Sequence, residues 1–271
     1  MLAVLFWNIQ KKPLLHRVAR IAAGRGVDIV LLTESGEQTN DELLAALNQV
    51  GQDFHCPIKQ NDRFRVACKM PVSRFPEVFN DVSNRLSVHE YLTVDGRAML
   101  IGQVHLPSPA SWDLANRNTQ APSIADQVRY CESQRNNQQT VLIGDFNLSP
   151  FDDGMVSFHG FHALMTRELA VRKNQRVVLG EKQPTFFNPM WQFLRDGGKS
   201  PSGTLHYSKN APIMHFWYTL DQVLIRPGIA ETLDRVEILE TDGVESLLNR
   251  NGRPKQKNGS DHLPLLIRLN W

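Results

Sequence analysis

The sequence predicts an α/β fold built on mixed β-sheet. Three observations carry that expectation. The chain opens with an apolar strand, an amphipathic helix and a second apolar strand. Asp95-Gly96 separates two strand-like runs, a strong hairpin signal that breaks a purely parallel winding. Thr140-Val141-Leu142-Ile143 then runs straight into Gly144-Asp145-Phe146-Asn147, so a buried strand ends in an acid and an amide.

Taken in order, residues 2–7 read as a buried strand, with Asn8 the first polar side chain at its end. Pro13 suits the first turn of a helix; Leu14, Val18, Ile21 and Ala22 give it one apolar face, and Gly24 and Gly26 end it. Residues 27–32 form the second buried strand, with Thr33 and Glu34 at its carboxyl end. Thr39 and Glu42 make a capping-box pattern ahead of Leu43, Leu44, Ala46 and Leu47. Four strand-like stretches follow at 54–58, 64–69, 86–94 and 97–106, the last with His105 near its end. Residues 113–136 read as one helix, interrupted or started at Pro122, with Leu114, Ala121, Ile124, Ala125, Val128 and Cys131 as its apolar positions.

Gly144 lets the backbone approach a neighbour with no Cβ in the way. Asp145 and Asn147 are two apart, so on an extended backbone both side chains point the same way. The ordinary alternative is an Asx turn with Pro150 as punctuation. Residues 152–170 read as short helices and loops, and 183–217 as the least regular segment. That segment carries Phe186, Phe187, Trp191, Phe193, Gly197, Gly198, Tyr207, Phe216 and Trp217, too aromatic for disorder. Residues 220–225 are a strand with Asp221 near its start. A basic, turn-rich loop at 250–259 leads into Ser260-Asp261-His262 and a last strand at 265–269. With no repeat, linker or shift in composition, the chain reads as a single domain, 1–271.

Hydrophobic residues make up 41% and charged residues 21%, so the chain can bury an ordinary core. A net charge of +2 does not repel polyanions, but it is not the strongly basic balance of a dedicated nucleic-acid binder. Cys56, Cys68 and Cys131 are odd in number and form no C-x-x-C, which predicts free thiols in a reducing compartment. The apolar opening lacks a basic flank and a cleavage site, and no apolar run approaches the ~20 residues of a membrane span. The expectation is a cytoplasmic protein with no membrane association and no protein partner.

The polar strand ends are Asn8, Glu34, His105, Asp145 with Asn147, Asp221, and Asp261 with His262. Singly, each has an ordinary reading: a strand-terminating amide, a loop carboxylate, a half-buried histidine, a turn after Gly259. Asp221 is the hardest to dismiss, because a buried aspartate in a strand needs a partner. Together they are an inventory for metal-assisted phosphoester hydrolysis. A hard cation takes carboxylate oxygens, the phosphate needs its charge neutralised, and the water needs orienting.

Trp7-Asn8, Leu31-Leu32-Thr33-Glu34, Val104-His105-Leu106, Gly144-Asp145-Phe146-Asn147, Leu220-Asp221 and Ser260-Asp261-His262 resemble, in order and spacing, the motifs of the endonuclease/exonuclease/phosphatase superfamily. The resemblance runs from residue 7 to residue 262; Gly-Asp-Phe-Asn with Ser-Asp-His is its specific part. It implies the DNase I-like fold, a four-layer α/β/β/α sandwich of two mixed β-sheets flanked by helices, with the active site at one edge. It implies that Glu34 is the chief metal ligand, with Asn8 and Asp261 near the ion, and that Asp145 orients or deprotonates the attacking water. Asn147 then holds a phosphate oxygen, His262 bonds the phosphoryl oxygen with its ring fixed by Asp221, and His105 is a second acid/base or phosphate ligand. The cofactor implied is Mg²⁺ or Mn²⁺.

The chain departs from the family pattern at Thr33, where many members carry Gln, and at Ser35. Asn8-Ile9-Gln10-Lys11 stands where abasic-site nucleases carry Asn-Gly-Ile-Arg, so that specialisation is not implied. Arg253, Lys255 and Lys257 are candidates to grip phosphate and Trp191 and Trp217 to stack on a base, against the plain readings of a solvated loop and loop packing. Arg117 and Arg129 could reach the phosphate from the helical segment, although arginines on a helix surface usually do not. The function expected is divalent-metal-dependent phosphodiester hydrolysis, as a nuclease on DNA or RNA. The alternatives are a phosphatase or phosphodiesterase of a small or lipid-derived phosphate, and a binding module without turnover.

Overall fold

In the computed structural model, which describes residues 1–49, 51–57, 63–194, 201–210, 212 and 214–271, the apolar runs become the strands of two large mixed sheets. The α/β class expected from the sequence is the one found. The chain divides into two compact units, one formed by 1–76, 193–219 and 234–271, the other by 77–192 and 220–233.

The first unit holds a five-stranded sheet in the order Leu233–Ile238, Leu265–Leu269, Leu2–Asn8, Ile29–Thr33, Phe64–Cys68. Leu2–Asn8 pairs antiparallel with Leu265–Leu269 and parallel with Ile29–Thr33. The parallel crossover is the helix Leu15–Arg25, which buries Val18, Ala19, Ile21 and Ala22. It continues through Gly24 and is closed by Gly26 at φ 60, whose N–H reaches the carbonyls of Ala22 and Ala23. The capping box forms as expected at the head of Asn40–Asn48: Glu42 N donates to Thr39 Oγ1, and Thr39 N to Glu42 Oε2.

The stretch expected as a strand at 54–58 is not one in its described part. It makes a single bridge, His55 to Cys68, and Ile58 lies outside the described residues, as do Gly197 and Gly198. The Asn48 side chain takes both backbone groups of Phe54, donating to its carbonyl and accepting its N–H, so no ladder forms there.

The second unit holds a seven-stranded sheet in the order Glu77–Asn80, Leu86–Leu92, Ala98–His105, Thr140–Asp145, Asp221–Ile225, Phe186–Phe187, Ala163–Leu164. The hairpin around Asp95-Gly96 is present, with Gly96 at φ 84 and Leu92 opposite Ala98. Ala98–His105 and Thr140–Asp145 run parallel, joined by the helix Leu114–Arg135. That helix passes through Pro122 unbroken, contrary to the expected interruption or start there. Asp113 caps it, and Ala121, Ile124, Ala125, Val128 and Cys131 join Leu100, Val104, Leu142 and Phe146 in one apolar core. The burial of these residues offsets the roughly 3 kcal/mol that an internal proline costs.

Gly144 stands where its sequence context suggested a close approach. A Cβ there would meet the Val104 carbonyl oxygen at 1.9 Å. A further hairpin, Gln175–Val178 with Glu181–Pro184, escapes the sequence reading because its turn is Leu179-Gly180. Both turn residues sit at positive φ, a geometry more often signalled by Asn-Gly. Within the same unit, Arg226 and Glu132 form a buried two-point ion pair, at 2.8 and 2.9 Å, with the guanidinium 3.7 Å from the centroid of the Phe186 ring.

Candidate active site

In the second unit, three neighbouring strands end on functional side chains at one level. His105 is the register partner of Asp145, and Asp145 is the register partner of Asp221. A ring nitrogen of His105 lies within 4.8 Å of a carboxylate oxygen of Asp145, and carboxylate oxygens of Asp145 and Asp221 lie equally close. All three side chains are buried. Strand propensity does not account for a row of this kind, since aspartate is depleted in strands. Parallel pairing sets the level of His105, and antiparallel pairing sets the level of Asp221.

The strand stops at Asp145, so Asn147 does not share an extended backbone with it, contrary to the two-residue alternation. Asn147 lies at φ 49, its N–H donates to Asp145 Oδ1 at 2.9 Å, and its Nδ2 donates to the Leu106 carbonyl at 2.9 Å. This is the Asx turn of the ordinary reading, and it turns the amide beside the acid rather than away from it. Buried amides support the turn from below: Gln222 donates to the Leu148 carbonyl and Asn188 donates to Gln222.

Arg117 is the residue the sequence reading undervalued. From the helix Leu114–Arg135 its Nη1 donates to the carbonyl of Asn147. Burial lowers its pKa, against the pull of the Asp152, Asp145 and Asp113 carboxylates. A lone arginine in a polar helical segment carries no sequence signal for this; only the packing of the helix on the strand end brings it there. Arg129, by contrast, is spent on Asp126 and on the carbonyls of His159 and Gly160. Trp191, in the short helix Pro189–Phe193 of this unit, packs with its ring 6.3 Å from Phe151.

In the first unit, Asn8, Glu34, Asp261 and His262 are linked through one hydrogen-bond network. Asn8 pairs with Thr33 in the parallel ladder, and its Nδ2 donates to Glu34 Oε1 at 3.2 Å. Asn8 Oδ1 accepts the N–H of Gln10, and Gln10 Nε2 donates to Asp261 Oδ2 at 2.8 Å. Ser260 Oγ donates to the Asn8 carbonyl and accepts from His262 N, while Trp7 Nε1 donates to the His262 carbonyl. Gln10 is thus a second residue absent from the expected set. Gln10, Lys11 and Glu34 all lie in the left-handed region, at φ 52, 56 and 53. Such backbone strain in non-glycine residues gathers at ligand sites.

The donor set of this network fits a hard divalent cation. It contains two carboxylates, Glu34 and Asp261, both partly exposed, and neutral amides that hold them in place. It contains no cysteine, and hard cations take oxygen ligands and keep several waters. Arg253, Lys255 and Lys257 line a cleft with His206 elsewhere in the same unit. Trp217 pairs with His206 in a short ladder, its ring 5.2 Å from the imidazole. Burial, and then the charge of Arg253, lowers the pKa of His206.

A model of the Endonuclease/Exonuclease/phosphatase family matches residues 5–262. Solved structures share the fold over the whole chain. An AP endonuclease from Archaeoglobus fulgidus matches at TM-score 0.59 and 12% identity, covering 100% of both chains. D. rerio TDP2, solved with a single strand DNA product, matches at 0.56 and 15%, covering 100% of this chain and 99% of that one. The endonuclease domain of the retrotransposon TRAS1 matches at 0.51 and 15%, with coverage of 100% and 99%. No curated protein matches the chain.

Proposed function

The chain belongs to the endonuclease/exonuclease/phosphatase family, and from that premise we propose that it hydrolyses phosphodiester bonds of nucleic acid with the help of Mg²⁺ or Mn²⁺. The observation that carries this reading is the buried row His105, Asp145, Asp221, with Asn147 turned against it. Two carboxylates this close and this buried repel one another, and such arrangements gather at reacting sites, which supports the reading.

In the reaction proposed, a water attacks phosphorus in line with the leaving oxygen, and its proton passes to the Asp145 carboxylate. Asn147, anchored by one amide hydrogen on Leu106, has a second for a phosphate oxygen. Asp221 supplies the second carboxylate of the row, a charge that an imidazolium answers. His262 donates to the phosphoryl oxygen as it gains charge. The bond from phosphorus to the leaving oxygen breaks, and His105 supplies that oxygen with a proton. Glu34 and Asp261 would hold the cation, with Asn8 fixing the Glu34 carboxylate. When bound, the cation neutralises charge on the phosphate.

Nucleic acid is favoured as substrate by the names of structurally similar proteins, an AP endonuclease and a protein solved with a DNA product, and by the basic cleft beside His206. Among the described residues no helix is long and apolar enough to cross a membrane. Three cysteines without a disulfide favour a reducing, cytoplasmic setting. The test is hydrolysis of plasmid, single-stranded DNA, RNA, inositol phosphates and bis-(p-nitrophenyl) phosphate with Mg²⁺, with Mn²⁺ and with EDTA. Metal-dependent cleavage of a nucleic acid is expected. Cleavage of inositol phosphates alone would replace this reading by a small-molecule phosphatase, and no cleavage of any substrate by a binding module.

A further inference from the structure

We propose that the cleft lined by residues 206–208, 249 and 253–258 is a subsite for a single-stranded nucleic acid segment flanking the cleaved bond, a proposal that rests on the phosphodiesterase reading above. The cleft has a volume of about 560 Å³, within the range of about 300–1,000 Å³ that holds an organic ligand rather than a lone ion.

One stretch of the lining is cationic and rigid. Arg253, Lys255 and Lys257 all line the cleft. The backbone that carries them is stapled. Asn249 N donates to the Arg253 carbonyl at 2.7 Å, and Asn249 Oδ1 accepts from Asn251 N and Arg253 N. Lys255 N donates to the Leu247 carbonyl at 2.9 Å. Lys12 Nζ donates to the carbonyls of Gln256 and Gly259. A loop already ordered loses little entropy when it grips a polyanion.

Distant from them in sequence, His206 and Tyr207 also line the cleft, and Phe216 stands beside them. Tyr207 is 48% and Phe216 50% exposed, and the two are tied by Tyr207 N donating to the Phe216 carbonyl at 2.9 Å. Phe216 is held at φ 66, a conformation a bulky residue seldom adopts. Its ring lies 6.4 Å from that of His206. Cations and exposed rings gathered at one cleft are the chemistry of single-strand recognition, because only unpaired bases offer their faces for stacking.

Both stretches run directly into the candidate active site of the same unit. Leu205 bridges His262, and Leu263 N donates to the Thr204 carbonyl at 2.8 Å. Lys257 precedes Ser260-Asp261-His262 by three positions. A strand lying in the cleft would therefore lead to that triplet.

The test is fluorescence anisotropy of labelled dT10 with the full chain in EDTA, across a salt series. The variant R253A/K255A/K257A is expected to bind at least 10-fold more weakly at low salt. Its log–log salt slope should be shallower by about 2, from about 0.7 for each phosphate that the variant no longer neutralises. Tyr207→Ala and Phe216→Ala should each weaken binding about 5- to 100-fold with the slope unchanged. The charge-matched triple R97A/R172A/R235A removes three exposed arginines from other surfaces and should change little. Thermal melts confirm that each variant is folded; if the cleft triple does not fold, the single variants R253A and K257A carry the same slope test. An unchanged slope, an equal loss in the charge-matched triple, a duplex binding as tightly as dT10, or displacement by submillimolar inorganic phosphate would overturn the proposal. Wild-type hydrolysis of bis-(p-nitrophenyl) phosphate is read separately. If it is absent while the anisotropy results hold, the hydrolase reading falls and the cleft remains a strand-binding site.

Discussion

Replacing Asp145 by asparagine separates chemistry from folding at the centre of the candidate site. Asp145 is 1% exposed, and its Oδ1 accepts the N–H of Asn147 at 2.9 Å. An asparagine oxygen accepts the same bond, so the turn that places Asn147 survives. What disappears is a negative charge within 4.8 Å of the Asp221 carboxylate. At an effective dielectric constant of about 20 that repulsion is about 3 kcal/mol, and attraction to Arg117 offsets part of it. Asp145→Asn should therefore unfold at the same urea concentration as the wild type or a higher one, with a gain of at most about 2 kcal/mol. In the proposed role of taking the water's proton, Asp145 would contribute about 10²–10⁴ in rate, or about 3–5 kcal/mol of barrier. The assay pairs metal-dependent hydrolysis of bis-(p-nitrophenyl) phosphate with urea unfolding. Activity within about 10-fold of wild type refutes the proposed role. A loss of activity that tracks a lower unfolding midpoint refutes it equally, by making Asp145 a structural residue.

Glu34→Gln should raise the Mg²⁺ or Mn²⁺ concentration for half-maximal activity by at least about 10-fold, read by metal titration, and an unmoved titration would remove Glu34 from the cation site. Glu132→Gln leaves the buried Arg226 charge without its partner and should cost about 3–5 kcal/mol in urea unfolding, whereas the double replacement E132L/R226M should recover most of that loss. Burial depresses His89 from 6.5 to about 3, so the unfolded chain binds its proton first. That contribution to stability is fully present above about pH 6.5 and is lost as the pH falls toward 3, by up to about 1.4 kcal/mol per pH unit. Unfolding midpoints measured at pH 7 and pH 5 should differ in that direction, and less so in His89→Gln.

The strand ends were legible because an apolar run meets a polar residue there. Asn8, His105 and Asp145 close such runs, Glu34 follows one just after Thr33, Asp221 opens one, and His262 stands just ahead of the last. The geometry of the turns was not legible. The left-handed backbone of Gln10, Lys11 and Glu34 is imposed by partners far apart in the chain, and no glycine marks it. Arg117 was hidden for a related reason. Its neighbours in sequence are polar, and its partner, the Asn147 carbonyl, is thirty residues away. Pro122 misled in the opposite sense: a local rule said break, and the burial of one helix face outweighed it. The strand Leu233–Ile238 and the hairpin at 175–184 carry too little alternation or turn chemistry to stand out before folding.

The pairing of Leu2–Asn8 with Leu265–Leu269 has a consequence for synthesis on the ribosome. The strand that bears Asn8 leaves the ribosome long before Leu265–Leu269, one of its flanking partners. The sheet bearing Asp145 has all its strands by residue 225, so it can assemble while the chain is still tethered. The network around Glu34 must wait for Ser260, Asp261 and the strand behind them. A nascent chain would thus carry the row around Asp145 in a folded sheet before the residues proposed to hold the cation are in place. Stalled chains arrested before residue 260 should resist protease over 77–192 and 220–233 while remaining sensitive across the first 76 residues.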